Sequence, residues 1–196
     1  RVITDAVRQT HGVACRYIDP PLLIDNFKSD IRVYVLVTSF HPLVAYVHDE
    51  GLARFATEKY TTRRIDDRRI HLTNYSLNKH STKFTLGDGL EGEDGVGSKW
   101  TLSAYRRRLD EELGEDVAAK AWRKVDEILI KALIAIEPPV SASMDAHLPP
   151  SDDGEPRRPC FQLFGCDVMF DANADPWLLE VNLDPSLDTE TALDLR

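Results

Sequence analysis

Asp167, Glu180 and Asn182 are the residues of this chain whose types and spacing most directly suggest chemistry. They lie in residues 161–187, FQLFGCDVMFDANADPWLLEVNLDPSL, where apolar strand sequence carries acidic and amide side chains. Phe161 to Phe170 reads as a buried strand, Asp171 to Asp175 as turn residues, and Pro176 to Leu183 as a second strand returning antiparallel. If Asp171 and Pro176 flank a four-residue turn, Met169 lies opposite Leu178 and Asp167 opposite Glu180. Opposed residues share a face, and Asn182 joins them because side chains alternate along a strand. No Lys or Arg is expected on that face, so the three oxygen-bearing groups are expected to need a cation. Two carboxylates and an amide are hard donors, too few to cage a metal alone and suited to magnesium that also binds water and nucleotide phosphates. Taken singly, Asp167 could open a bend and Glu180 could sit on a solvated sheet face. The shared face favours the metal.

Other candidates lie upstream. In FKSDIRVYVLV, residues 27–37, Lys28, Asp30 and Arg32 alternate and so point the same way in extended chain. They fit a solvated strand end, or a site where Lys28 and Arg32 neutralise phosphate or carboxylate while Asp30 orients one of them or a ribose hydroxyl. Arg54 stands among small and apolar neighbours, where a charge needs a partner, either an internal acid or an anionic ligand. Thr73 and Asn74, in HLTNYSLNKH, could cap a helix or bind phosphate and metal-bound water, with Tyr75 and Lys79 lining the same pocket. Residues 87–97, GDGLEGEDGVG, do not make a Walker loop: Gly92 to Lys99 ends GSK, and acidic residues there would repel phosphate.

These groups need a scaffold. A short strand ending at Ile18 runs into Pro20 and Pro21. The apolar half of residues 27–37 reads as a strand buried on both faces. Pro42 to Val47 and Gly51 to Tyr60 read as two further strands, making an antiparallel meander. Thr101 can cap a helix carrying Leu102, Tyr105, Leu109 and Leu113, closed by Gly114. Asp116 can cap a longer helix whose stripe is Val117, Ala121, Val125, Ile128, Leu129, Ala132, Leu133 and Ile136, ended by Pro138 and Pro139. Both stripes are core-facing. Insertion loops are expected at about 87–99 and 141–160, the second for its prolines.

With 42% apolar residues among 196, the chain can build a core, and no apolar run approaches membrane-spanning length. Cys15, Cys160 and Cys166 form no CxxC pair, which points away from a disulfide framework or zinc site and towards a reducing compartment. The balance of 24 basic and 33 acidic residues gives −9, which argues against nucleic-acid binding over the whole surface. The chain opens at Arg1, without a methionine, and reads as a fragment.

In RYIDPPLLID, RVYVLVTS, EGLARFATEKY, HLTNYSLNKH, GSKWTLSA, FGCDV and PWLLEVNLDPSL, in that order, the chain resembles the tubulin-tyrosine-ligase-like family of the ATP-grasp superfamily. GSKW, LLIDNFKSDIR and the closing LDLR are most similar to its tubulin polyglutamylase branch. The resemblance implies an α+β fold over residues 1–196: the C-terminal part of an ATP-grasp, an antiparallel sheet flanked by helices, with the upstream lid subdomain missing. It implies ATP held by Cys15, Arg16, Tyr17, Ile18, Lys28, Asp30, Thr73 and Asn74, and a free amino acid held by Arg54, Tyr75 and Lys99. Asp167, Glu180 and Asn182 would hold two magnesium ions, and Arg32, Arg54 and Glu180 would serve catalysis. The implied reaction joins free L-glutamate to glutamate side chains of acidic tubulin tails or microtubules through an acylphosphate. Glycylation, tyrosination or a non-catalytic tubulin-binding role are the alternatives. No nucleic acid or membrane partner is implied. The implied location is the cytoplasm and cytoskeleton, extending to the cilium or basal body. The acidic tail would be received by basic clusters at Arg63–Arg69 and Arg106–Arg108.

Overall fold

The fold is described from a computed structural model for residues 15–74, 94–148 and 160–187. Its centre is an antiparallel sheet. β1 (Leu23–Ile24), β2 (Phe27–Phe40), β3 (Leu43–Phe55), β4 (Lys99–Thr101), β5 (Gln162–Phe170) and β6 (Pro176–Asn182) are arranged β4-β3-β2-β5-β6, with β1 paired to β2. Among the described residues three helices accompany it: α1 (Arg68–His71), α2 (Leu102–Leu113) and α3 (Glu115–His147). The expected antiparallel sheet flanked by helices is therefore observed.

β2 is the strand on which the rest is registered. Val33, Val35 and Val37 are buried while Arg32, Tyr34 and Leu36 are half-buried, so one face is core and the other partly open. This differs from the expectation of burial on both faces: α2 and α3 cover only the valine face. Ile31, Val33 and Val35 pack there with Ala53, Tyr105, Leu109, Ala121, Val125 and Leu129. Each such fully buried aliphatic side chain contributes roughly 1.5–3 kcal/mol. The turn from β1 into β2 uses Asp25 and Asn26 at φ 52° and 69°, the left-handed pair that matches strand twist in a two-residue hairpin.

Several expected elements differ. Residues 15–18 form no strand. The two strands expected at Pro42–Val47 and Gly51–Tyr60 are the single strand β3, and residues 56–60 lie outside it. The length of β2 keeps both halves paired, and the intervening His48–Glu50 becomes a bulge between the pairs Val35–Val47 and Val33–Gly51. His48 Nδ1 accepts the Glu50 amide there at 3.2 Å. Gly51 must lack a side chain, because a Cβ would stand 2.2 Å from the Arg32 carbonyl oxygen.

Thr101 caps α2 as expected, accepting the Ala104 amide at 3.1 Å. Asp116 does not cap α3. Gly114, at φ 83°, ends α2 and begins α3, and Asp116 lies in the first turn, where an acid still complements the helix dipole. Val117 points outward at 47% exposure and Ala118 takes the core position. α3 also runs through Pro138 and Pro139 to His147, so residues 141–147 are helix rather than insertion loop. Val140 and Met144 pack on the core and Ser141 Oγ donates to the Glu137 carboxylate at 3.0 Å, contacts that offset the missing amide donors. At the other expected insertion, residue 99 opens β4, with the Asp94 carboxylate accepting the Thr101 amide at 3.1 Å. No helix among the described residues is long and apolar enough to cross a membrane.

Candidate active site

The face of the sheet opposite the helices carries a charged band built by strand register. Lys99 of β4 pairs with Arg54 of β3, and Arg54 with Asp30 of β2. Two residues along β2, Arg32 pairs with Asp167 of β5, which pairs in turn with Glu180 of β6. Gly165 faces Asn182 one step beyond. Every named residue except Gly165 was expected in the site from sequence.

The approach of Glu180 to Asp167 is as expected, but by another route. Phe170 pairs with Pro176, so Met169 faces Trp177 rather than Leu178. The turn closes tightly because Asp171 gathers the amides of Asn173 and Asp175 at 2.9 and 3.1 Å, with Ala174 at φ 60°. A bulge at Leu179 then restores the register between the pairs Val168–Leu178 and Asp167–Glu180. Without that bulge Asp167 would face Leu179, and Glu180 and Asn182 would turn towards the helices.

The expectation that no Lys or Arg shares this face fails. Arg32 donates from Nε to Asp167 Oδ1 and from Nη2 to Oδ2 at 3.0 Å. Arg54 Nη2 reaches Asp167 Oδ2 at 2.8 Å and also clamps Asp30, at 2.9 Å through Nε and 2.5 Å through Nη2. The arginines come from β2 and β3, distant in sequence, so the hairpin by itself gave no sign of them. Asp30 thus orients Arg54, not Lys28 or Arg32. For Arg54 the bland expectation, an internal ion pair, is what the structure shows.

The acids respond differently. Burial alone would raise Asp167, but the hydrogen bond from Arg32 and the charge of Arg54 outweigh it and hold the carboxyl below its usual range. Burial pushes Asp30 up, opposed by Arg54 and by a hydrogen bond from Thr73. Both carboxylates are buried, but Asp30 has one guanidinium partner where Asp167 has two.

Lys28 sits in a second cluster beside the first. Its Nζ donates to the His71 carbonyl at 2.8 Å and to Tyr17 Oη at 3.3 Å, and lies 4.7 Å from the Tyr17 ring centroid. Burial lowers its pKa, partly countered by Asp30. His71 lies between Arg64 O and Tyr17: Nε2 faces the carbonyl at 3.0 Å and must donate, leaving Nδ1 to accept the Tyr17 hydroxyl at 2.8 Å. The HLTNYS segment thus contributes His71 as well as Thr73. Sequence reasoning passed over His71, though a histidine directly before Thr73 and Asn74 was a signal. Asn74 is exposed, and Cys15, Arg16 and Ile18 lie on the extended segment leading past Tyr17. Tyr75 and Lys79 lie outside the described residues.

Gly165 was also missed, and a glycine inside a strand signals close approach. A Cβ there would meet Pro185 Cβ at 2.7 Å and Arg32 Cδ at 3.0 Å. Gly165→Ala should therefore lower stability by about 1–3 kcal/mol through overpacking, read by urea unfolding. An unchanged midpoint would show that Pro185 moves freely aside.

The donor set fits a magnesium site supplied only in part by protein. Asn182 Nδ2 donates to Gly165 O at 3.1 Å and to Glu180 Oε1 at 3.3 Å, so Oδ1 is the atom that would face an ion. Among the described residues no cluster of three or more His, Cys, Asp or Glu could hold an ion, so an ion at this donor set would need further ligands such as water or phosphate. The basic clusters separate. Arg108 is tied to Asp25, Glu111 and Glu112, and Arg106 stacks over Trp122 at 4.4 Å. In the other cluster Arg64 and Arg69 pair with Asp67, while Arg63 and Arg68 are exposed.

Tubulin polyglutamylase TTLL5 of Homo sapiens is 46% identical over 183 residues, covering 92% of this chain and 14% of that protein. Tubulin polyglutamylase ttll-5 of Caenorhabditis elegans is 43% identical over 184 residues, 91% of this chain and 24% of its own length. A probable beta-tubulin polyglutamylase of Tetrahymena thermophila is 38% identical over 197 residues, 99% of this chain and 16% of that protein. The chain therefore spans 14 to 24% of the length of these curated relatives. Residues 2–196 match the family described as Tubulin-tyrosine ligase family, with the sheet and charged band lying inside that match, and the chain belongs to this family.

Proposed function

We propose that this chain forms part of the catalytic core of an ATP-dependent ligase that adds glutamate, through an amide bond, to glutamate side chains of tubulin tails. The observation that carries this reading is the charged band itself, in which four strands bring Arg54, Asp30, Arg32, Asp167 and Glu180 side by side. Similarity to proteins named tubulin polyglutamylase supplies the donor and acceptor.

ATP lies along the Tyr17–Lys28 cluster, with Cys15 to Ile18 at the adenine, Lys28 towards the phosphates, and Asp30, Thr73 and Asn74 beside them. Asp167, Glu180 and Asn182 hold magnesium, which when bound neutralises phosphate charge during transfer. An oxygen of the acceptor γ-carboxylate attacks the γ-phosphorus of ATP. The bond to the ADP oxygen breaks, giving an acylphosphate and ADP. The amine of free glutamate attacks the acyl carbon, phosphate leaves with its bridging oxygen, and the amine proton passes to solvent. Arg54 and Lys99, with Tyr75, hold the incoming amino acid, and Arg32 stabilises oxyanions along the path. Exposed Arg63 and Arg68 receive the acidic tail. The protein acts where tubulin is, in the cytoplasm and on the cytoskeleton.

The test incubates the protein that carries this chain with ATP, magnesium, tubulin and each of radiolabelled glutamate, glycine and tyrosine. Incorporation of glutamate is expected. Label from glycine or tyrosine instead would replace the donor, and tubulin binding without any label would make the protein a non-catalytic tubulin binder.

A further inference from the structure

Asp167 is already engaged by guanidinium groups. A carboxylate offers about four lone-pair sites, and Arg32 and Arg54 between them direct three N–H groups at this one. A divalent cation arriving at Asp167 finds one lone-pair site left, on Oδ1 beside the Arg32 Nε–H, where like charge drives the guanidinium away. Arg54 is the harder to move, because it is also clamped on both oxygens of buried Asp30. Arg32 pairs with no other carboxylate among the described residues, and its stem lies over Gly165, whose partner on β6 is Asn182.

We propose that Arg32 is a placeholder for the divalent cation: its guanidinium holds Asp167 while no cation is bound, and is released to a substrate oxyanion when one binds. The inference rests on the metal reading of Asp167 given above. It explains how the buried Asp167 carboxylate is held in place before a metal arrives, since a bidentate guanidinium fixes the plane of both its oxygens. It also couples two events. Cation binding frees a guanidinium, and an oxyanion that captures the guanidinium frees Asp167, so each tightens the other reciprocally.

The test follows binding of manganese, without nucleotide, through the paramagnetic resonance signal of the free ion. Arg32→Gln should tighten manganese binding about 10-fold, the size of a typical coupling between sites. A short polyglutamate peptide should tighten manganese binding to the wild-type protein and leave the folded Arg32→Gln variant unmoved. Equal or weaker manganese binding by folded Arg32→Gln overturns the placeholder. Asp167→Asn separates the two readings: if it binds manganese as the wild type does, the metal assignment itself fails. If it loses the ion while Arg32→Gln is unchanged, only the placeholder fails. The wild-type protein gives a readout free of folding effects. Magnesium should shift the Arg32 Nε–H nitrogen resonance, assigned by its loss in Arg32→Lys, and a resonance fixed at saturating magnesium overturns the proposal.

Discussion

Arg54→Met should destabilise the protein by about 3–5 kcal/mol, because it leaves two buried carboxylates short of a cation. Arg54 has only 14% of its side chain exposed and Asp30 only 5%, so water cannot take over the lost hydrogen bonds. The loss should depend on pH. In the wild-type chain burial pushes Asp30 up and Arg54 pulls it down. Removing Arg54 leaves mainly the upward push, so the folded pKa, already above the unfolded value in the wild type, rises further. Such a group contributes stability that is fully present below the unfolded carboxylate range, about 4, and is lost as pH rises through the folded value. The variant should therefore weaken further relative to wild type between about pH 5 and 8. Asp167 behaves oppositely in the wild type. Its folded pKa is depressed, so its contribution is present above the unfolded value and is lost as pH falls through the folded one, on the acid side of about 4. Urea unfolding at several pH values reads both effects. A difference between variant and wild type that stays flat from pH 5 to 8 would mean that Asp30 finds another partner.

Glu180→Gln should separate activity from stability. Glu180 is exposed on an edge strand, and its described hydrogen bond is the 3.3 Å contact from Asn182. Exchange for the isosteric amide should move stability by no more than about 0.5 kcal/mol, as is usual for surface positions. Incorporation of labelled glutamate into tubulin should nevertheless fall by roughly 10²–10³-fold or more, the loss expected when a charge that stabilises transfer is removed. Near-normal incorporation would remove Glu180 from the site, whereas equal loss of stability and activity would make it structural.

What the sequence determined by itself was local. Alternation in FKSDIR put Lys28, Asp30 and Arg32 on one face, Thr101 and Gly114 bounded α2, and the spacing from Asp167 to Glu180 placed the acids opposite each other. Each depends on residues near in the chain, where helix and strand periods govern. The ordered blocks from RYIDPP to PWLLEVN made the family legible, and residues 2–196 match it.

Tertiary structure decided the rest. Proline patterns suggested that α3 should stop at Pro138, yet packing of Val140 and Met144 carries it to His147. The segment between the expected halves of β3 became a bulge because β2 was long enough to pair beyond it. The turn closed by Phe170 and Pro176 holds five residues rather than the expected four, and the Leu179 bulge returned Glu180 to Asp167. Above all, Arg32 and Arg54 reach Asp167 across 135 and 113 residues of sequence, and no periodicity within the final hairpin could announce them. Strand order brought those charges together. A buried carboxylate then had to take whichever cation the sheet delivered, because leaving it unpaired costs more than any local preference supplies.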